Sequence, residues 1–67
     1  MDVTINGEAR TLPADKLTVA ELLSRLGLEA GRTVVELNRE VVPRERYGGA
    51  AIVAGDALEL VEIVGGG

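Results

Sequence analysis

One group in this sequence invites reaction chemistry: the carboxylate that follows Gly65-Gly66-Gly67 at the end of the run VEIVGGG. The 67 residues include no Cys and no His, which removes thiol nucleophiles, disulfides, zinc-finger sites and imidazole acid–base chemistry together. An unperturbed terminal carboxylate has a pKa of roughly 3.3–3.7, so at neutral pH it is an anion and a poor electrophile. Activated from outside, as a mixed anhydride with AMP, it would accept attack by a sulfur or nitrogen nucleophile. Glycine suits that task, because no Cβ crowds the reagent and the slim backbone can thread a narrow channel. The protein would then be a substrate, and the enzyme its partner. Fraying of a chain end and a linker remnant compete for the same three glycines. Against both stand the apolar residues just before them and the lack of any tag or cleavage sequence.

The strand that would present this end has its own pattern. Leu58 and Leu60 alternate with Glu59, the mark of one buried and one wet face. Continuing the alternation puts Val61 and Ile63 on the wet face with Glu59. Two β-branched residues there suggest a docking patch, with Val61, Ile63, Val64, Glu59 and Glu62 as candidate partner contacts. A bulge that turns Val61 and Ile63 inward is the competing reading. Charge agrees with a protein partner: the formal balance is −4, and from Gly48 onward there are three acids and no base. A basic groove on another protein complements such a flank, whereas an ordinary solvated surface would also look acidic here. A basic stripe and stacking aromatics are both missing, which argues against nucleic acid.

The remaining elements read from local signals. Asn6-Gly7 between alternating runs predicts a β-hairpin with a type I′ turn, ended near Pro13. Thr18-Val19-Ala20-Glu21 is a capping box, and Val19, Leu22, Leu23 and Leu26 recur on one helical face before Gly27 stops the helix. Thr33–Leu37 reads as a strand, Asn38-Arg39-Glu40 as a turn, and Val41-Val42 as a short run closed by Pro43. Here Asn38 reads as a turn residue rather than a ligand, and Tyr47 as packing rather than recognition. PRERYGG makes a surface excursion with one helical turn, Ala51–Val53 resumes an extended path, and Ala57–Ile63 forms the last strand after a Gly55-Asp56 turn. No apolar run approaches the 18–20 or so residues that span a bilayer, and no charged-then-apolar leader is present, so a cytoplasmic protein is the expectation.

One helix of about two turns can bury its stripe only against one face of a sheet. The expected class is therefore α+β: a ubiquitin-like β-grasp, with a mixed four- to five-stranded sheet wrapped around one main helix and the last strand central beside the first. Residues 1–63 would form this domain and 64–67 a flexible glycine tail. At this point the sequence resembles the sulfur carrier proteins of thiazole (thiamin) biosynthesis, the ThiS family. The NG hairpin, TVAELL, VELNREVVPRERY, AGDALELV and VGGG fall in the family's order along the whole chain.

That resemblance implies a cycle of expectations. A ubiquitin-activating-enzyme-like adenylyltransferase would use magnesium-ATP to adenylate Gly67, a cysteine desulfurase would supply persulfide sulfur, and thiazole synthase would take sulfur from the resulting thiocarboxylate. Gly65 and Gly66 would provide reach. The chain itself would hold no cofactor and no metal. Sulfur transfer in another pathway (molybdopterin, tRNA thiolation, cysteine), covalent modification of lysines and a non-catalytic interaction module are the alternatives.

Overall fold

The computed structural model describes residues 1–64. Strand β1 (Asp2–Ile5) and strand β2 (Glu8–Thr11) form the first hairpin. Its turn takes the geometry that Asn-Gly encodes, with φ of 51° at Asn6 and 81° at Gly7. A short strand β3 (Lys16–Thr18) then leads directly into helix α1 (Val19–Leu26).

The capping box forms as read. The Glu21 N–H donates to the Thr18 hydroxyl at 3.1 Å, and the Thr18 N–H donates to the Glu21 carboxylate at 2.9 Å. These bonds, from the Thr18 backbone first and its hydroxyl second, hold the Glu21 carboxyl below the usual carboxylate range. Two further donors of the first turn go elsewhere: Val19 N–H reaches the Ala50 carbonyl and Ala20 N–H the Tyr47 carbonyl, both at 2.9 Å. The helix stops at Gly27, whose φ of 72° is left-handed. Val19, Leu22 and Leu23 are fully buried and Leu26 half-buried, so the stripe faces inward along its length. Each fully buried aliphatic side chain contributes about 1.5–3 kcal/mol.

After a 3-10 turn (Ala30–Arg32) come β4 (Thr33–Leu37) and β5 (Glu40–Val41). Their connection carries φ of 51° at Asn38 and 71° at Arg39, a second hairpin turn of the same hand as the first. A 3-10 turn at Arg44–Arg46, β6 (Ala51–Val53) and β7 (Ala57–Glu62) complete the order. The main sheet has five strands in the order β2-β1-β7-β4-β5. Strand β7 lies at its centre, parallel to β1 and antiparallel to β4. The expected α+β grasp and the central last strand are both present. One component is additional: β3 and β6 pair antiparallel as a separate two-stranded sheet beside the helix.

The inner face of the main sheet gives Val3, Ile5, Val35, Leu58 and Leu60 to the core, against α1, Leu17 and Ile52. Tyr47 is buried there too, and its hydroxyl donates to the Thr33 carbonyl at 2.6 Å. Among the described residues no buried side-chain polar atom lacks a partner. No helix among them is long and apolar enough to cross a membrane.

Candidate functional site

The site is the outer face and the end of β7. Register decides which residues share it. Across the β4–β7 pair, Val34 stands opposite Val61 and Glu36 opposite Glu59. Val41 on β5 stands opposite Glu36. The buried residues of both central strands, Val35, Leu58 and Leu60, alternate with these, so Val34, Glu36, Val41, Glu59 and Val61 lie on the face turned away from the helix. The ladder continues one bond past the strand, with the Ile63 N–H donating to the Arg32 carbonyl at 2.7 Å. That bond keeps Ile63 in step with Val61. No bulge interrupts the register, so both stay outside: Val61 is 59% exposed and Ile63 52%, with Val64 beyond them at 80%.

Two features of this face carry physical weight. Apolar Val34 and Val61 are neighbours across the strands, with Ile63 extending the patch toward the glycines. Directly beside them, Glu36 and Glu59 oppose each other as like charges, an arrangement that costs stability within a sheet. Glu59, Val61 and Ile63 stand on this face as the alternation predicts. Sequence reading missed Val34 and Glu36, whose membership depends on the pairing of strands more than twenty residues apart, and Val41, which the β4–β5 hairpin sets beside Glu36. Glu62 does not join this face, because it alternates with Val61.

Strand β7 is held from both sides by asparagines in left-handed conformations. The Asn6 side chain accepts from the Leu60 N–H at 2.7 Å and donates to the Leu60 carbonyl at 3.3 Å, taking the place of one more residue of β1. On the other side, Asn38 accepts from the Ala57 N–H at 2.9 Å and donates to Asp56 at 3.0 Å, while Asp56 accepts from the Val53 N–H at 2.9 Å. Asn38 is therefore a structural turn residue, as read. The start and middle of the strand are fixed; its last residues lead to Gly65, Gly66 and Gly67. Those three, with the tail assigned to 64–67, lie outside the described residues except for Val64.

Nothing else among the described residues offers reaction chemistry. No group of three or more Asp, Glu, His or Cys there could hold a metal. An open concavity of about 370 Å³ is lined by Glu45, Arg46, Gly49 and Ala50, with no nucleophile among them. Of the described residues, Arg32 and Glu29 make the one ion pair, at 3.8 Å between exposed groups, and no described carboxylate pairs with Arg44 or Arg46.

A mixed five-stranded sheet grasping one helix, with an apolar and acidic outer face at the end of its central strand, defines a ubiquitin-like β-grasp protein. The ThiS family profile matches residues 3–67. The chain belongs to the ThiS family. It is 35% identical over 63 residues to the sulfur carrier protein ThiS of Bacillus subtilis, covering 94% of this chain and 96% of that protein. The crystal structure of a thiamine biosynthesis protein (ThiS) from Geobacter metallireducens superimposes with a TM-score of 0.87 at 42% identity, each chain covered in full. The whole chain is also 43% identical to part of a thiazole synthase from Paramagnetospirillum magneticum, of which it spans only 20%.

Proposed function

We propose that this chain is a sulfur carrier of thiamin biosynthesis whose reactive group is the Gly67 carboxylate. A ubiquitin-activating-enzyme-like adenylyltransferase binds it and spends magnesium-ATP to form the acyl adenylate. The terminal sulfur of a persulfide, made by a cysteine desulfurase, attacks the acyl carbon and expels AMP. A thiol then cleaves the S–S bond of the product, leaving a thiocarboxylate on the carrier and a disulfide on the thiol side. Thiazole synthase accepts that sulfur into the ring. The carrier supplies no catalytic side chain and holds no cofactor. Its contributions are the terminus, the reach of Gly65 and Gly66, and a surface that seats it on its enzymes in the cytoplasm.

The observation that carries this reading is the path of β7. The central strand of the fold is pinned by Asn6 and Asn38, turns Val61 and Ile63 outward, and is followed in the sequence by Val64 and the three glycines. The thiazole synthase relative, which contains a segment like this chain, favours thiazole formation over the other sulfur pathways. Intact mass spectrometry tests the proposal. After incubation with the adenylyltransferase, magnesium-ATP, a desulfurase and cysteine, the chain should gain the mass difference between sulfur and oxygen. Lysine adducts would mark a protein modifier instead, and an unchanged mass would refute the carrier reading. Deleting Gly66 and Gly67 should abolish the gain.

A further inference from the structure

Hydrogen-bond accounting along β7 shows an unfilled position. The Asn38 N–H donates to the Ala57 carbonyl and the Ile63 N–H to the Arg32 carbonyl, so the odd-numbered residues of β7 face β4. The even-numbered residues face β1. Asn6 N–H takes the Leu58 carbonyl at 2.9 Å, and the Asn6 side chain takes both main-chain groups of Leu60. There β1 ends, because Asn6-Gly7 turns the chain back into β2. Glu62 is the next residue in that row, opposite Thr33 across β4 but with its N–H and C=O aimed at the side β1 has left. Val64 follows it. Among the described residues no hydrogen bond is made to the Glu62 N–H or carbonyl on this side.

Proteins blunt such edges with lysine, proline, bulges or a covering element. Strand β7 carries no lysine, proline or bulge, and among the described residues no strand pairs with it at Glu62 on the β1 side. Its register is unbroken, Val61, Ile63 and Val64 are exposed, and the only charges on the strand are Glu59 and Glu62. We propose that the β1-facing edge of β7 at Glu62 and Val64 receives an extended segment of the adenylating partner as an added strand, with a Lys or Arg of that segment beside Glu62. This rests on the carrier reading above and deepens it. The occupant is cationic because the chain from Gly48 onward carries three acids and no base. An added strand gives affinity through main-chain bonds and so places few demands on side chains. It would also lie beside the residues that lead into Gly65, so that binding and aiming of the terminus are one event.

Amide hydrogen exchange on the wild-type chain tests this directly. With the adenylyltransferase at saturation, the Glu62 and Val64 amides should slow by about tenfold or more, while the Leu60 amide, already bonded to Asn6, changes little. A chain made by chemical synthesis with an N-methyl group on Glu62 loses that donor without touching the β4 ladder. It should melt like the wild type and bind the enzyme about tenfold more weakly. Replacing Glu62→Gln should reduce the salt dependence of binding. If the wild-type chain gains sulfur while Glu62 and Val64 exchange as fast as in the free protein, or if the N-methylated chain binds normally, the added strand is wrong and the carrier reading stands. If no complex forms and no sulfur is gained, both fall.

Discussion

Removing one oxygen atom from the core should weaken this fold substantially. The Tyr47 hydroxyl donates to the Thr33 carbonyl at 2.6 Å in a site where Tyr47 is only 5% exposed. That carbonyl faces the β5 side of β4, where strand pairing covers only Glu36 and Leu37 and the Val42 N–H reaches Val35. Thr33 lies one step beyond, and the phenol is its donor. Tyr47→Phe keeps the ring packing and leaves a buried carbonyl unsatisfied, at a cost of about 1–3 kcal/mol. A chain of this size is stable by only about 3–10 kcal/mol in total. Each kcal/mol shifts the melting temperature of a small domain by about 4–8 °C, so the variant should melt roughly 5–20 °C lower. Thermal and urea unfolding followed by far-UV circular dichroism measure this, with an unchanged urea m-value expected. Partner binding by the folded variant should be normal. A melting temperature within about 2 °C of the wild type would show that the Thr33 carbonyl has another donor, and would refute the reasoning.

Other changes probe the helix and the outer face. Gly27→Ala puts a Cβ on a left-handed residue and should cost about 1–2 kcal/mol in urea unfolding, although no atom crowds the site; a neutral result would mean that the cap relaxes. Glu21 has its folded pKa lowered by Thr18, so its contribution is present above the unfolded value of about 4.3 and is lost as pH falls through the folded one. Glu21→Gln lacks that titration, so the stability gap between the two proteins should shrink as pH falls below the unfolded value and through the lowered folded one, and a constant gap would contradict the cap assignment. Ile63→Glu should weaken binding to the adenylyltransferase about tenfold or more with the melting temperature nearly unchanged, and unaltered affinity would remove this face from the interface.

Local chemistry made much of this structure legible. Asn6-Gly7 can hardly do other than turn, Thr18 and Glu21 sit at the one spacing that closes a capping box, and the alternation through Leu58 and Leu60 settles which way Val61 points. What escaped the sequence depends on distance along the chain. Asn6 and Leu60 are 54 residues apart and Asn38 and Ala57 are 19 apart, and no local pattern announces that a turn asparagine will bond a strand elsewhere. The β3–β6 sheet is three residues wide on each side, too short for periodicity to register. Tyr47 was assigned correctly to packing, but the partner of its hydroxyl depends on where β5 stops. Val34 and Glu36 entered the outer face only once the register across β4 was known.

The central place of β7 ties integrity to competence. A copy clipped before Ala57 would keep the β1–β2 and β4–β5 hairpins but lose the strand that joins them, and isolated hairpins are marginal in water. Loss of β7 therefore does not create a well-formed decoy that occupies an enzyme without delivering anything. It creates an unfolded peptide.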